Sequence, residues 1–282
     1  MKRKRAIVTG TSSGFGMLCA LELAKAGFEV ISTVRNIDKA ENLLRLAEEQ
    51  KVTDLILLQT LDVTSEESVR SFAEYVSKFP SVDVLVNNAG FALGGFCEEL
   101  AVKEYRLQFE TNIFGVISVT QAVLPVMRKN RTGRIINMSS ISGKFGFPGL
   151  SPYTASKHAL EGFSESLRLE VKPFGIDVVL VEPGSYQTNI WSSIDNTTIK
   201  SDSPYHFYME RLLSEIESSK ASHGNPHEVA RLVAKIASQK KTPKLRYPIG
   251  KGIKLRLFMK SIFPWKLLER VILKKLLGTK KR

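Results

Sequence analysis

The chain has 282 residues, 43% of them hydrophobic, which suits one large α/β domain, or at most one domain with an appendage, with a sizeable core, and makes a globular enzyme the first expectation. Its formal charge of +13 comes from one end: residues 240–282 carry 15 Lys or Arg against Glu269, a net +14, and leave residues 1–239 at −1. Nucleic acid is therefore not an expected partner, since no reading motif accompanies the basic tail. Cys19 and Cys97 are too few for a disulfide framework and suggest a reducing, cytoplasmic setting. No metal site is expected. No signal peptide is expected either, because Met1-Lys-Arg-Lys-Arg5 runs straight into the strand-like Ala6-Ile-Val-Thr9, and no apolar run approaches the roughly 18 residues of a membrane span.

After that first strand come Gly10-Thr-Ser-Ser-Gly14-Phe-Gly16 and a helical pattern from Met17 to a stop at Gly27. Glycines at a strand-to-helix turn permit close backbone approach, and the helix N-terminus offers N–H groups to a pyrophosphate. The alternative is a glycine-rich packing turn. A second strand, residues 29–34, delivers Arg35 about 20 residues beyond the glycine loop, where a ribose is read in dinucleotide folds. No acid stands at Thr33, Val34 or Arg35, and a guanidinium suits a 2′-phosphate, although Arg35 also fits a solvated helix start.

The alternation continues with helix 38–49, strand 55–58 extending toward Leu61, helix 66–78 and strand 82–86. Strands alternating with helices predict a parallel, doubly wound sheet of Rossmann type. Asp62 and Asn87-Asn-Ala-Gly90 follow the third and fourth strands, at the edge where such sheets bind ligands; both also suit plain turns. A long helix over 102–129 holds Asn112 in its interior, where a short polar side chain competes for backbone groups and needs a reason. Strand 134–138 ends in Ser139-Ser140, and loop 143–149 leads into a helix bearing Tyr153 and Lys157. Residues four apart share a helix face, so the ammonium is expected to draw the phenol's pKa down from about 10. The next strand, 176–181, is expected to end its pairing at Glu182-Pro183-Gly184.

With Thr9-Gly-x-x-x-Gly-x-Gly16, Asn87-Asn-Ala-Gly90, Asn112, Ser140, Tyr153-x-x-x-Lys157 and Pro183-Gly184 in this order, residues 4–239 resemble the short-chain dehydrogenase/reductase family. The resemblance implies a tetrad of Asn112, Ser140, Tyr153 and Lys157. Tyr153 would be the general acid or base, Lys157 would tune it and hold the nicotinamide ribose, Ser140 would bond the substrate oxygen, and Asn112 would support a proton relay. Gly10, Ser12, Gly14, Phe15 and Gly16 would line the pyrophosphate and adenosine side. Asp62 and Val63 would lie at the adenine, Asn88, Ala89 and Gly90 behind the ribose, and Pro183, Gly184 and Thr188 near the nicotinamide. Members with an arginine and no acid at the second strand generally use NADP(H), with NAD(H) the alternative cofactor. A homodimer or homotetramer is implied as well.

Past Gly184, Tyr186, Trp191, Tyr205, Phe207, Tyr208 and Met209 fall among polar residues in a mobile substrate flap, about 185–225. With Phe91, Phe145 and Phe147 they suggest a large apolar pocket, or simply pack the flap onto the body. Residues 244–250 resemble the last strand of the hydroxysteroid and retinol dehydrogenase branch. The expected organisation is a single catalytic domain over 1–250 and a basic amphipathic extension over 251–282. In the extension Trp265, Leu268, Ile272 and Leu276 recur at helical spacing beside Lys266, Arg270 and Lys274. That stripe either lies on a membrane, making the protein peripheral, or packs over the pocket or a partner subunit. The expected function is NADP(H)-dependent interconversion of a carbonyl and an alcohol on a lipophilic, steroid-, retinoid- or lipid-like substrate. The alternatives are an NAD-dependent alcohol dehydrogenase of small substrates and a non-catalytic nucleotide-sensing protein.

Overall fold

The fold was obtained as a computed structural model that describes residues 3–187, 202–219 and 223–277. Seven parallel strands form one sheet in the order β3-β2-β1-β4-β5-β6-β7: β1 Arg5–Thr9, β2 Glu29–Val34, β3 Ile56–Thr60, β4 Val84–Asn87, β5 Gly133–Met138, β6 Ile176–Pro183 and β7 Arg246–Ile249. The inner strands β1, β4 and β6 are short apolar runs because helices cover both faces, so a side chain pointing either way meets core, whereas the edge strands β3 and β7 are only half-buried. Helices α1 (Gly14–Lys25), α2 (Glu41–Glu49) and α8 (Pro226–Ser238) enclose one core with Val8, Val30 and Val181. Helices α3 (Glu66–Ser77), α5 (Gly115–Lys129) and α6 (Ser151–Val171) enclose the other with Ile7, Leu85 and Val178. This is the doubly wound Rossmann arrangement expected, and its strand order reverses between β1 and β4.

Several boundaries differ from expectation for local reasons. The helix expected from 38 begins as a tight turn, Ile37–Ala40, because the Asn36 side chain accepts from the Asp38 amide at 2.9 Å and closes an Asx turn first. Pro183 does not end pairing: it lies in register with Ile249, at the last position of β6, where a missing N–H costs least. The helix expected over 102–129 is α4 (Val102–Phe109) and α5 joined by a π-helical turn, Glu110–Phe114, centred on Asn112. Its length and apolarity would allow a membrane crossing, yet Val119, Val123 and Met127 are fully buried in the core.

After β6, α7 (His206–Ser219) precedes α8, and α9 (Ile253–Ile262) and α10 (Trp265–Leu277) follow β7. Leu276 is buried and packs with Ile272 inward, whereas Trp265 is exposed. Of the apolar stripe expected in the tail, Ile272 and Leu276 thus line a cavity with the body, Leu268 is half-buried and Trp265 is exposed. Lys260 on α9 donates to the Lys144 carbonyl and lies 5.1 Å from the Phe145 ring centre, which ties the tail to the loop before α6.

Candidate active site

The glycine loop is zipped to the neighbouring strand end. Thr9 Oγ1 accepts from the amides of Asn88 and Ala89, each at 2.9 Å, and Asn88 Nδ2 donates to the carbonyls of Thr9 (2.9 Å) and Gly10 (3.1 Å). Gly10 has φ +70°, and a Cβ there would stand 2.9 Å from Ala89 Cα; a Cβ on Gly16 would collide with the Gly10 carbonyl and Asn88 Nδ2. The backbone therefore comes closer than any side chain allows. Above it opens a cleft of about 470 Å³ at the C-terminal ends of β1 to β4, the topological switch point.

Of the residues expected at a cofactor, Gly10, Ser12, Gly14, Phe15, Arg35, Asp62, Val63, Asn88, Ala89 and Gly90 line this cleft. Gly16 does not; its missing side chain lets the loop close on β4. Pro183 and Gly184 lie at the other side of the sheet, where the Gly184 amide donates to Ile249 O at 2.9 Å. Thr188 and Trp191 lie outside the described residues. Sequence reasoning missed Ser13, Thr64 and Thr111 in the lining, whose single hydroxyls carry no motif. The Asp62 carboxyl is held below its usual range, first by the Thr64 amide, with Arg35 contributing in the same direction.

Tyr153 and Lys157 share the buried face of α6, and Ser140 caps the short turn after β5. The Ser140 hydroxyl bonds the Tyr153 phenol, while Ser139 Oγ donates to Glu161 Oε1 at 2.6 Å, so the two adjacent serines face different groups. Lys157 Nζ donates to Met138 O at 2.7 Å and lies 5.6 Å from the Tyr153 ring centre. Burial dominates both titrations. It pushes the phenol up to about 12, only partly opposed by Ser140, and pulls the ammonium down to about 8, opposed by the Glu161 charge. The expected lowering of the phenol by its lysine is thus reversed in this site, because full desolvation outweighs a cation engaged with a carbonyl.

Asn112 is buried for a structural reason. Its Oδ1 accepts from Phe91 N at 3.2 Å and its Nδ2 donates to Phe91 O at 3.0 Å and to Ser156 Oγ at 3.2 Å, while Ser156 Oγ donates to Tyr153 O at 2.7 Å. Asn112, in the π turn, thereby joins the 91 loop to α6. Behind Lys157 lies an unpredicted ionic cluster. Glu161 meets Lys144 Nζ at 2.6 Å and Arg246 Nε at 3.0 Å, and Glu182 meets Arg246 Nε at 3.2 Å. Burial, then the Glu161 charge, push Glu182 up to about 7. The sequence did hold a signal for Glu161: positions 153, 157 and 161 continue one helix face.

A second cavity of about 730 Å³ opens beside Gly149 and Leu150, which lead into α6. Its walls are mostly aliphatic, including Met209, Leu212, Ile216, Ile253 and Leu276. Of the aromatics expected there, Phe147 lines it; Tyr205 and Tyr208 pack on Phe96 at 4.4 and 5.4 Å between ring centres, and Tyr186 packs edge-on against Phe15 at 5.7 Å. Those three tyrosines fasten the segment to the body.

A glycine-backed cleft at the switch point, with a hydroxyl, a phenol and an ammonium gathered beyond it, defines a nucleotide-dependent oxidoreductase of Rossmann type. The family model described as short chain dehydrogenase matches residues 4–198, and the chain belongs to the short-chain dehydrogenase/reductase family. It is 53% identical to the uncharacterized oxidoreductase YusZ of Bacillus subtilis over 98% of this chain and 99% of that one. It is 39% identical to the 3-ketodihydrosphingosine reductase of Bacteroides thetaiotaomicron over 90% of each. A solved structure of an actinorhodin polyketide ketoreductase variant with NADPH superposes with a TM-score of 0.76 at 31% identity, covering 89% of this chain and 97% of that one.

Proposed function

We propose that the protein is an NADP(H)-dependent carbonyl reductase for a lipophilic ketone or aldehyde with a long aliphatic portion. The observation that carries the substrate class is the aliphatic cavity of about 730 Å³ beside the N-terminus of α6. The likeness to a reductase named for a sphingoid ketone supports it. The residues present fit the cofactor: Gly10, Ser12, Ser13 and Gly14 line the cleft with no side chain larger than a hydroxymethyl and leave room for a pyrophosphate at the start of α1, and Arg35 at the cleft wall, with no acid at the end of β2, suits a 2′-phosphate. Bound there, NADPH supplies the hydride.

The chain's own groups handle the oxygen. Ser140 and Tyr153 bond it together, and Tyr153, which keeps its proton throughout the neutral range, donates that proton as negative charge develops. Lys157, charged at neutral pH, stabilises the resulting phenolate and holds the nicotinamide ribose; Asn112 fixes the catalytic helix through Ser156. Residues 1–250 constitute the enzyme and 251–282 an extension of it. A homodimer or homotetramer in the cytoplasm completes the proposal, and light scattering tests the assembly.

The test is a substrate panel of long-chain ketones, retinal, steroids and small ketones with NADPH and NADH in parallel, followed by nicotinamide absorbance. The proposal expects NADPH consumption that rises with aliphatic chain length. Equal turnover of small ketones, or preference for NADH, would point to a small-alcohol dehydrogenase; no turnover with any carbonyl would leave a nucleotide-binding protein.

A further inference from the structure

Helix α9 is apolar on two opposite faces. Ile253 and Leu257 point into the body, and Leu255, Phe258, Met259 and Ile262, spaced i, i+3, i+4 and i+7, form a stripe on the outside. Leu255 is 63% exposed, Phe258 62% and Ile262 58%. Past the helix end Phe263 and Trp265 are exposed as well, and so is Val271 of α10, at 60%. Exposed leucines scattered singly need no explanation, but four exposed apolar residues on one helix face, followed by exposed aromatics, do. The α9 stripe is distinct from Ile272 and Leu276, which line the larger cavity.

Charge decides what covers it. Residues 251–277 hold eight Lys or Arg and one acid, Glu269, and Lys254, Lys266, Arg270 and Lys274 are exposed around the strip. A second copy docking through the same face would set these four cations against their counterparts, with Glu269 the single acid on each side to offset them. An anionic bilayer offers phosphates to the cations and acyl chains to the strip, with Trp265 and Phe263 at the depth where aromatic rings settle. We propose that the outer face of α9 and the start of α10 dock this protein in the plane of an anionic phospholipid membrane. Each exposed cation near such a surface strengthens binding about fivefold at moderate salt.

The placement has a consequence for the site. Ile253, Ile272 and Leu276 wall the larger cavity from the inner side of the same two helices, so two helices alone would separate it from lipid. The docking goes beyond the proposed substrate and does not depend on it.

The experiment is sedimentation of the full chain with vesicles of phosphatidylcholine alone and of equal parts phosphatidylcholine and phosphatidylglycerol, beside Phe258→Glu/Ile262→Glu. Both side chains are exposed and neither contributes to the catalytic group, so an unchanged melting curve shows that the variant folds. The inference expects pelleting with the mixed vesicles, at least about tenfold weaker binding to phosphatidylcholine alone, and a loss of about a hundredfold or more in the double variant. Three results would overturn it. These are no pelleting with the mixed vesicles, equal pelleting of the double variant, or a dimer that the double substitution splits while vesicles bind neither protein.

Discussion

Replacing Lys157 with methionine should make the protein's pH dependence reveal the cost of its buried ammonium. Lys157 is almost fully enclosed, with a pKa drawn down by burial to about 8 from 10.5. Below pH 8 the folded and unfolded chains both carry the proton, and the folded one bears a constant burial penalty. Between 8 and 10.5 the unfolded chain still holds the proton and the folded chain has released it, so folding strengthens as pH rises. The difference of 2.5 units corresponds to about 3 kcal/mol. Methionine cannot titrate. Urea unfolding of wild type and Lys157→Met, repeated from neutral pH to beyond 10.5, should therefore show their stability difference shifting by about 3 kcal/mol in favour of the wild type. Shared groups cancel in that difference. A gap that stays constant across the range would refute the buried, depressed lysine, and with it the reason that carbonyl reduction should fall above pH 8.

Adenine-side specificity gives a second outcome: Arg35→Asp should raise the KM for NADPH by about ten- to a hundredfold, a lost charge-assisted bond, while improving use of NADH. Steady-state kinetics with both cofactors read it. Ser140→Ala should lower kcat by about a hundredfold or more. Ser139→Ala should leave kcat near wild type yet cost about 1–3 kcal/mol in urea unfolding, since buried Glu161 loses its hydroxyl partner. Gly16→Ala should cost about 3 kcal/mol, because its methyl group meets backbone that cannot retreat; an unchanged unfolding midpoint would contradict the close approach.

The fold was legible because the inner strands are buried on both faces and the helices are periodic, so local pattern and global packing agree at β1, α1 and β2. The cleft was legible too, since Gly10 and Asn88 announce backbone proximity whatever the ligand. What escaped were features made by pairs distant in sequence. Arg246 reaches Glu161 across 85 positions, and neither residue advertises the other. Asn137 sits in an apolar strand, where only the fold reveals Asn87 Nδ2 at 2.8 Å and Ser164 Oγ at 2.8 Å as its partners. The phenol's titration escaped for a related reason: spacing gives the cation four residues away, but not the depth of burial that outweighs it.

The most direct measurement is single-turnover oxidation of NADPH by wild type and Tyr153→Phe with a long-chain ketone, alongside cofactor binding by fluorescence. If Tyr153 gives the proton, the variant binds NADPH as tightly as wild type and its rate falls by about a hundredfold to ten-thousandfold. A rate equal to wild type with the phenol gone would contradict the assignment.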